Sequence, residues 1–210
     1  MATKRARPSR AARASARPAR AGAPRAGLDR TLVLEVAGQL ADRDGMCALT
    51  LRAVAEHFGV KPPSIYNHVD GLDEIKRALA LEGMRQLGQR FARASAGLAR
   101  DDAVRALARV YRRFAHEHPG LYQAALTAPD PSDSEASAAA TEAAEIIFAV
   151  LAGYGLAHDE QIHATRALRA TMHGFVALEH VGGFGLPLDV ERSYERAIEW
   201  FIAGLNAPTT

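Results

Sequence analysis

The sequence predicts an all-α protein, and three observations support this prediction. Apolar residues make up 48% of the 210 residues, which is enough for a substantial core. Ala, Leu and Arg, which all favour helices, dominate the composition. From residue 28 onward, apolar residues recur at intervals of three and four, and no segment shows the strict alternation that is typical of a strand.

Nine helices are predicted from this periodicity and from the helix-breaking residues between its segments. Capping residues, or a proline in the first turn, mark several starts, and glycine or proline marks several ends. The predicted helices cover about 28–44, 50–58, 63–69, 73–97, 101–118, 121–126, 134–154, 158–181 and 189–205.

The first three helices are predicted from their turn and capping residues. Apolar residues recur every four positions in the first helix, which should end near Gly45. Thr50 can cap the second helix, and Gly59 can form the tight turn that follows it. Pro62-Pro63 can begin a helix but cannot continue one, so the third helix is expected to start there and to stay short.

The six later helices are mostly longer, and each carries an apolar face. Asp73 can cap the fourth helix, Asp101-Asp102 opens the fifth, and Pro119 ends it. The loop 127–133 separates the short sixth helix from the seventh, and a glycine-rich turn separates the eighth from the ninth. We therefore expect three short helices followed by a bundle of six.

The first 27 residues differ in composition from the rest of the chain. They carry eight basic side chains and no acidic one, whereas the remaining residues hold 18 basic and 24 acidic side chains. They contain three prolines and no Leu, Ile, Val or aromatic residue, so we expect a disordered basic arm. This arm either contacts DNA phosphates non-specifically or is a solvated tail, and composition favours neither.

The segment TLRAVAEHFGVKPPSIYNHV, residues 50–69, fits a helix-turn-helix. Ala55 is small where the two helices would cross, and Val60, Ile65 and Val69 would hold the second helix against the core. The other side chains of that helix are polar or amphipathic, and they would point outward toward phosphates or base edges. An ordinary helical hairpin is the alternative interpretation of this pattern.

This motif resembles the DNA-binding domain of the tetracycline-repressor (TetR) family of bacterial transcription regulators. The matching residues are Leu49-Thr50, Val54-Ala55, Phe58-Gly59-Val60, Ser64-Ile65-Tyr66 and His68-Val69. The resemblance is strong over residues 28–80 and weaker beyond them. It implies an N-terminal three-helix helix-turn-helix domain followed by a six-helix ligand-binding and dimerisation bundle. The expected units are the arm 1–27, the DNA-binding domain 28–72 and the effector-binding domain 73–210.

The resemblance also implies which residues contact DNA. Arg52 would reach a base or a phosphate from the second helix. The positions that set sequence preference would be Lys61, Pro62, Pro63 and Asn67. The side chains that hold phosphates would be Ser64, Tyr66 and His68. Many members of the family have a lysine where Leu72 stands here, and residues 28–80 hold six basic and eight acidic side chains. The basic arm could compensate by following the minor groove beside the site.

A homodimer is implied as well, because a palindromic operator needs two symmetry-related DNA-binding domains. We expect the last two helices to form the interface, although some of their apolar residues should serve the core of one chain. The expected interface residues are Ala170, Gly174, Ala177, Val181, Ile198, Phe201, Ile202 and Leu205. The pair His173-Gly174 resembles a C-terminal subgroup of the family that carries His-Gly in this helix.

An effector pocket is expected between the DNA-binding domain and the dimer interface. The lining of this pocket would be mostly apolar. Its candidate residues are Met84, Leu87, Phe91, Tyr111, Phe114, Tyr122, Phe148, Met172, His173 and Phe175. Each of these could equally be an ordinary core residue. The resemblance implies that a small molecule shifts the fourth helix and releases the operator, so that the protein acts as a repressor.

Other classes of function receive little support from the sequence. There is no glycine-rich phosphate loop, GxSxG or HExxH, so we expect neither an enzyme nor a cofactor. His116 and His118 would leave a helix on different sides, which argues against a metal site. With a single cysteine, Cys47, and no run of 18 apolar residues, a cytoplasmic protein without a membrane span is expected. A nucleoid-associated protein that binds DNA without sequence preference remains the alternative.

Overall fold

In the computed structural model, which describes residues 28–207, the chain forms eight α-helices and one 3-10 helix, and this part contains no strand. The all-α prediction is therefore confirmed. The predicted arm 1–27 lies outside the described residues. The elements are α1 (Arg30–Asp44), α2 (Leu51–Phe58), the 3-10 helix (Pro62–Asn67), α3 (Leu72–Ser95), α4 (Arg100–Glu117), α5 (Pro119–Ala124), α6 (Ser134–Ala152), α7 (His158–His180) and α8 (Val190–Leu205).

Local capping explains where α2 begins and ends. The Thr50 hydroxyl accepts a hydrogen bond from the backbone N–H of Ala53 at 3.0 Å, which satisfies one donor of the first turn. Gly59 adopts the left-handed conformation, with φ of 67°, and closes the helix. Both expectations for this helix are confirmed.

The third element is a 3-10 helix that ends at Asn67, whereas an α-helix over 63–69 was expected. Its two prolines have no N–H to donate, and a segment this short favours the tighter turn. The N–H of Ser64 accordingly bonds to the carbonyl of Lys61, and that of His68 to the carbonyl of Ile65, each at 2.9 Å.

The side chains of Ile65 and Val69 anchor this segment, since both are buried in the core. The expectation that Val60 would join them is wrong, because its side chain is 37% exposed. Val60 directly follows the left-handed Gly59, and the change of chain direction there leaves its side chain at the surface. Gly71 rather than Asp73 occupies the N-cap of α3, with a φ of 128° that favours glycine.

The later helices surround α4, which packs against α3, α5, α6, α7 and α8. Its side chains of Val104, Leu107 and Phe114 are completely buried. The long helix α3 runs from the helix-turn-helix into the bundle, where it packs against α1, α4, α5 and α6. No helix within residues 28–207 is both long enough and apolar enough to cross a bilayer.

The junction between α1 and α5 joins the helix-turn-helix to the bundle. The Asp42 carboxylate, near the end of α1, accepts hydrogen bonds from the backbone N–H groups of Gly120 and Leu121 at 2.8 and 3.2 Å. It thereby satisfies free donors in the first turn of α5. A Cβ atom at Gly120 would lie 2.4 Å from the carbonyl carbon of Ala41, so only glycine allows the two helices to approach this closely.

The joint between α3 and α6 makes part of the stability dependent on pH. Asp133 caps α6 by accepting from the Ala136 N–H, and the Arg77 guanidinium on α3 donates to its carboxylate. The hydrogen bond from Arg77 lowers the pKa of Asp133 to about 2. A carboxyl group whose folded pKa is depressed stabilises the fold above its unfolded pKa, roughly 3.9, and loses that contribution as the pH falls through the folded value.

We therefore expect wild-type protein to be more stable than Asp133→Asn near neutral pH, with the difference shrinking as the pH falls from about 5 toward about 2. Urea unfolding of both proteins across this range would measure the difference and would cancel the titration of groups that do not share Arg77 with Asp133, as Glu135 does. A difference that stayed constant over the range would show that the Arg77 contact does not depress the pKa of Asp133.

Candidate DNA-binding face and effector cavity

The residues expected to contact DNA lie together on the surface of the helix-turn-helix. We refer to them as the reading face: Arg52, Lys61, Pro62, Pro63, Ser64, Tyr66, Asn67 and His68. Ser64 and His68 are half-buried, the other six are exposed, and the side chain of Tyr66 is 56% exposed. Because Ile65 and Val69 point into the core, the intervening side chains are held outward.

Charge on this domain is largely neutralised by internal ion pairs. Arg30 pairs with Glu74, Arg43 with Asp44, and Arg52 with Glu56. The hydrogen bond with Glu56, at 2.8 Å, raises the pKa of Arg52, but this pair is highly exposed and therefore weak enough to exchange for a phosphate.

Lys61 differs from these arginines. It makes no ion pair with a carboxylate in the part of the chain that the structure describes, and it is exposed on the reading face. Its charge is therefore free to meet a phosphate without breaking another contact.

A cavity of about 220 Å³ lies among α3, α4, α5, α6 and α7. Six of the ten residues expected at an effector pocket line it: Met84, Leu87, Phe91, Tyr111, Tyr122 and Met172. The remaining lining is also mostly apolar, with alanines and Ile147 from α6 and the loop that follows α5. The cavity therefore has the apolar character of a small-molecule site.

Four expected pocket residues do not line the cavity. Phe114 is completely buried in the core, and Phe175 packs between Phe184 and Tyr194, with ring centroids 4.6 and 5.2 Å away. Phe148 packs against His158 instead. The physical reason is helix geometry, because adjacent positions differ by about 100° around the axis and only one face of each helix meets the cavity.

His173, the fourth, lies behind the cavity wall and bonds to it. Its Nδ1 is 2.6 Å from the hydroxyl of Tyr122, which also accepts a hydrogen bond from the hydroxyl of Tyr111 at 3.3 Å. Burial raises the pKa of both tyrosines, so their hydroxyl groups are neutral donors and acceptors. The three side chains form one hydrogen-bonded polar group at a wall that is otherwise mostly apolar.

Arg169 also lines the cavity, and sequence reasoning missed it. An arginine on an amphipathic helix is normally interpreted as a solvated surface residue. Its spacing from Thr165 and Met172, at i−4 and i+3, could have revealed it, since these three residues share one face of α7 and all line the cavity.

The residues expected at the dimer interface fall into two groups. Ala170 and Val181 are exposed, and Gly174, Ala177, Phe201 and Leu205 are half-buried. Ile198 and Ile202 are only 3% exposed, so their inclusion was wrong. Together with Tyr194 they form the face of α8 that belongs to the core of the same chain.

Large apolar side chains that the expected interface omitted are exposed at this end of the molecule. Trp200 on α8 is 68% exposed, and the end of α7 and the turn after it expose Leu178, Phe184, Leu186 and Leu188. Exposed apolar residues in this number are typical of a surface that another protein covers.

A helix-turn-helix joined to an all-helical bundle with an apolar cavity defines a class of DNA-binding regulators. Comparison with known proteins agrees with this class. Residues 104–201 match the family described as Tetracyclin repressor-like, C-terminal domain. The uncharacterized HTH-type transcriptional regulator Rv0681 of Mycobacterium tuberculosis is 36% identical over 92% of this chain and 94% of its own length.

The HTH-type transcriptional regulator YobS of Bacillus subtilis, also uncharacterized, is 33% identical over 87% of this chain and 95% of its own length. The chain belongs to the TetR family of helix-turn-helix transcriptional regulators. A crystal structure of BioQ with its double-stranded DNA operator shares the fold, with a TM-score of 0.64 and 22% identity over 87% of this chain and 100% of that one.

Proposed function

We propose that the protein is a cytoplasmic repressor that binds a palindromic DNA operator as a homodimer and is released by a small-molecule effector. The observation that carries the proposal is the exposed reading face, which presents polar side chains outward from a helix anchored by Ile65 and Val69. BioQ, a structural neighbour, has been solved with an operator, which supports the same use of the fold here. Binding of DNA and effector, rather than catalysis, is the proposed activity.

The proposed division of labour places DNA binding in residues 28–72 and effector binding with dimerisation in 73–210. The contact between α1 and α5 supports communication between these units, because α5 carries Tyr122 from the cavity wall and donates hydrogen bonds to Asp42 from its first turn. An effector that moved α5 or α3 would thereby move the reading face.

The proposed dimer interface consists of exposed and half-buried residues of α7, its C-cap and α8. We retain Ala170, Gly174, Ala177, Val181, Phe201 and Leu205, and add Trp200. Gly174 supports this arrangement, since a Cβ added there would meet no atom of its own chain within 4 Å and a partner helix could approach closely. A two-fold axis through this surface would create the pair of DNA-binding domains that a palindromic operator requires.

Selection of bound DNA from a random pool, using the full-length protein, tests this function. We expect enrichment of one palindrome whose half-sites are about one helical turn, or a multiple of it, apart. Recovery of DNA without any shared sequence would instead support a nucleoid-associated protein that binds through phosphates alone. Failure to retain DNA at low salt would contradict both functions.

A further inference from the structure

We propose that the cavity binds an amphipathic anion, with an apolar body among α3, α4, α6 and α7 and a carboxylate-type head group paired with Arg169. The inference names the chemical class of the effector and rests on the proposed function only for the claim that binding releases DNA. Three features of the cavity carry it: its apolar lining, its one charged side chain, and the internal pairing of its two tyrosine hydroxyl groups.

The apolar lining defines the body of the ligand. Most of the wall comes from aliphatic, aromatic and thioether side chains, including Leu87, Phe91, Ile147 and Met172. Such a wall offers an aliphatic chain dispersion contacts and removes its surface from water, whereas a polar body would lose hydrogen bonds there. The ligand should therefore be predominantly apolar.

Arg169 defines the head group. It is the only Asp, Glu, Lys, Arg or His among the described residues that line the cavity. Its Nη2 donates to the backbone carbonyl of Leu126 at 2.8 Å, and it makes no ion pair with a carboxylate within residues 28–207. A guanidinium has five N–H donors in a planar fork that suits a carboxylate. Most of these donors remain for a ligand.

The lack of an ion pair is shared with other arginines of the bundle, so what distinguishes Arg169 is its position. Arg77, Arg90, Arg105 and Arg112 form ion pairs with carboxylates of the chain, whereas arginines such as Arg93 and Arg166 form none within residues 28–207 and do not line the cavity. Arg169, by contrast, is held at the cavity by a neutral carbonyl group, which positions its charge without cancelling it. Because Arg169 is exposed, the head group would lie at the mouth of the cavity and the apolar body inside it.

Because both tyrosine hydroxyl groups are paired within the protein, Arg169 is the charged donor that the cavity offers a ligand, and the Thr127 hydroxyl is a neutral one. The Tyr111 hydroxyl donates to Tyr122, whose own hydroxyl is paired with His173. These hydroxyl groups already satisfy one another within the protein, and a ligand that bonded to them would have to replace existing hydrogen bonds. A cationic ligand would additionally place its charge beside the guanidinium and would be repelled.

Calorimetric titration of the full-length protein with decanoate, 1-decanol and decylamine tests the proposal, since these probes share one apolar chain and differ in head group. We expect decanoate to bind at least tenfold more tightly than 1-decanol and decylamine to bind most weakly. Equal binding of decanoate and 1-decanol, preference for decylamine, or failure of decanoate to bind would overturn the proposal.

Variants of the same protein assign the preference to one side chain. Arg169→Met should weaken decanoate binding at least tenfold and leave 1-decanol binding unchanged, which also shows that the cavity is intact. Arg169→Lys should retain part of the preference, because it keeps the charge without the fork. Arg166→Met removes an exposed arginine of α7 that does not line the cavity and should change nothing. Unchanged decanoate affinity in Arg169→Met would refute the assignment.

Failure of the inference and failure of the proposed function remain distinguishable. If decanoate binds through Arg169 but does not release the selected operator, the anion site stands and its role as an effector site is wrong. If the protein selects no operator, the regulatory function fails, whereas the calorimetric result stands independently. If an operator is selected and decanoate does not bind, only the inference about ligand class is wrong.

Discussion

Replacing Tyr66 with Ala should lower affinity for the selected operator by about 1–3 kcal/mol, roughly 5- to 150-fold. The side chain is largely exposed between two anchoring residues, Ile65 and Val69, so its loss should remove a DNA contact without unfolding the domain. As a proposed phosphate contact, Tyr66 should contribute nearly equally to every DNA sequence. Fluorescence anisotropy with the operator and with scrambled DNA would measure both affinities.

Asn67→Ala should give a different pattern, because Asn67 is proposed to read base edges. We expect operator affinity to fall by a similar amount while affinity for scrambled DNA stays almost the same, so the preference for the operator decreases. Gln89→Ala removes an exposed amide of α3 outside the helix-turn-helix and is the matched control. Wild-type operator affinity in both Tyr66→Ala and Asn67→Ala would exclude the reading face as the DNA-binding surface.

Gly120→Ala should lower the free energy of unfolding by about 1–3 kcal/mol, the usual cost of overpacking a close contact. The added Cβ would lie 2.4 Å from the carbonyl carbon of Ala41 and 2.6 Å from the backbone nitrogen of Asp42. Backbone atoms cannot rotate away as a side chain can, so α1 and α5 would have to separate. That separation would also stretch the hydrogen bonds that Asp42 accepts from the start of α5.

Gly38→Ala provides the matched control for this effect. Gly38 is a buried helical glycine like Gly120, but it lies on α1 rather than on α5. Its added Cβ would lie 3.5 Å from Cδ2 of Leu79, an ordinary contact. We expect this substitution to be neutral or to stabilise the protein by up to about 1 kcal/mol, since alanine favours helix over glycine. Urea unfolding of both variants gives the comparison, and similar stabilities for the two would contradict the tight junction at Gly120.

The expected dimer interface on α8 shows what sequence periodicity cannot predict. Periodicity correctly placed Ile198, Phe201, Ile202 and Leu205 on the apolar side of α8. All four were expected at the dimer interface, and the pattern did not show which of them would serve the core of one chain instead. In the structure Ile198 and Ile202 are buried within the chain, whereas Trp200 is exposed. An amphipathic pattern shows that a face is covered, and it carries no information about which chain covers it.

The sequence alone determined the properties that depend on neighbouring residues. The approximate extents of the α-helices, the cap at Thr50, the left-handed turn at Gly59 and the outward direction of Tyr66 follow from local hydrogen bonding and from the periodicity of apolar residues. The tertiary structure alone decided which side chains meet across the bundle. Arg169 lines the cavity, whereas Phe114 and Phe175 do not. The cavity is formed by faces of five helices, and packing sets the rotation and separation of those helices.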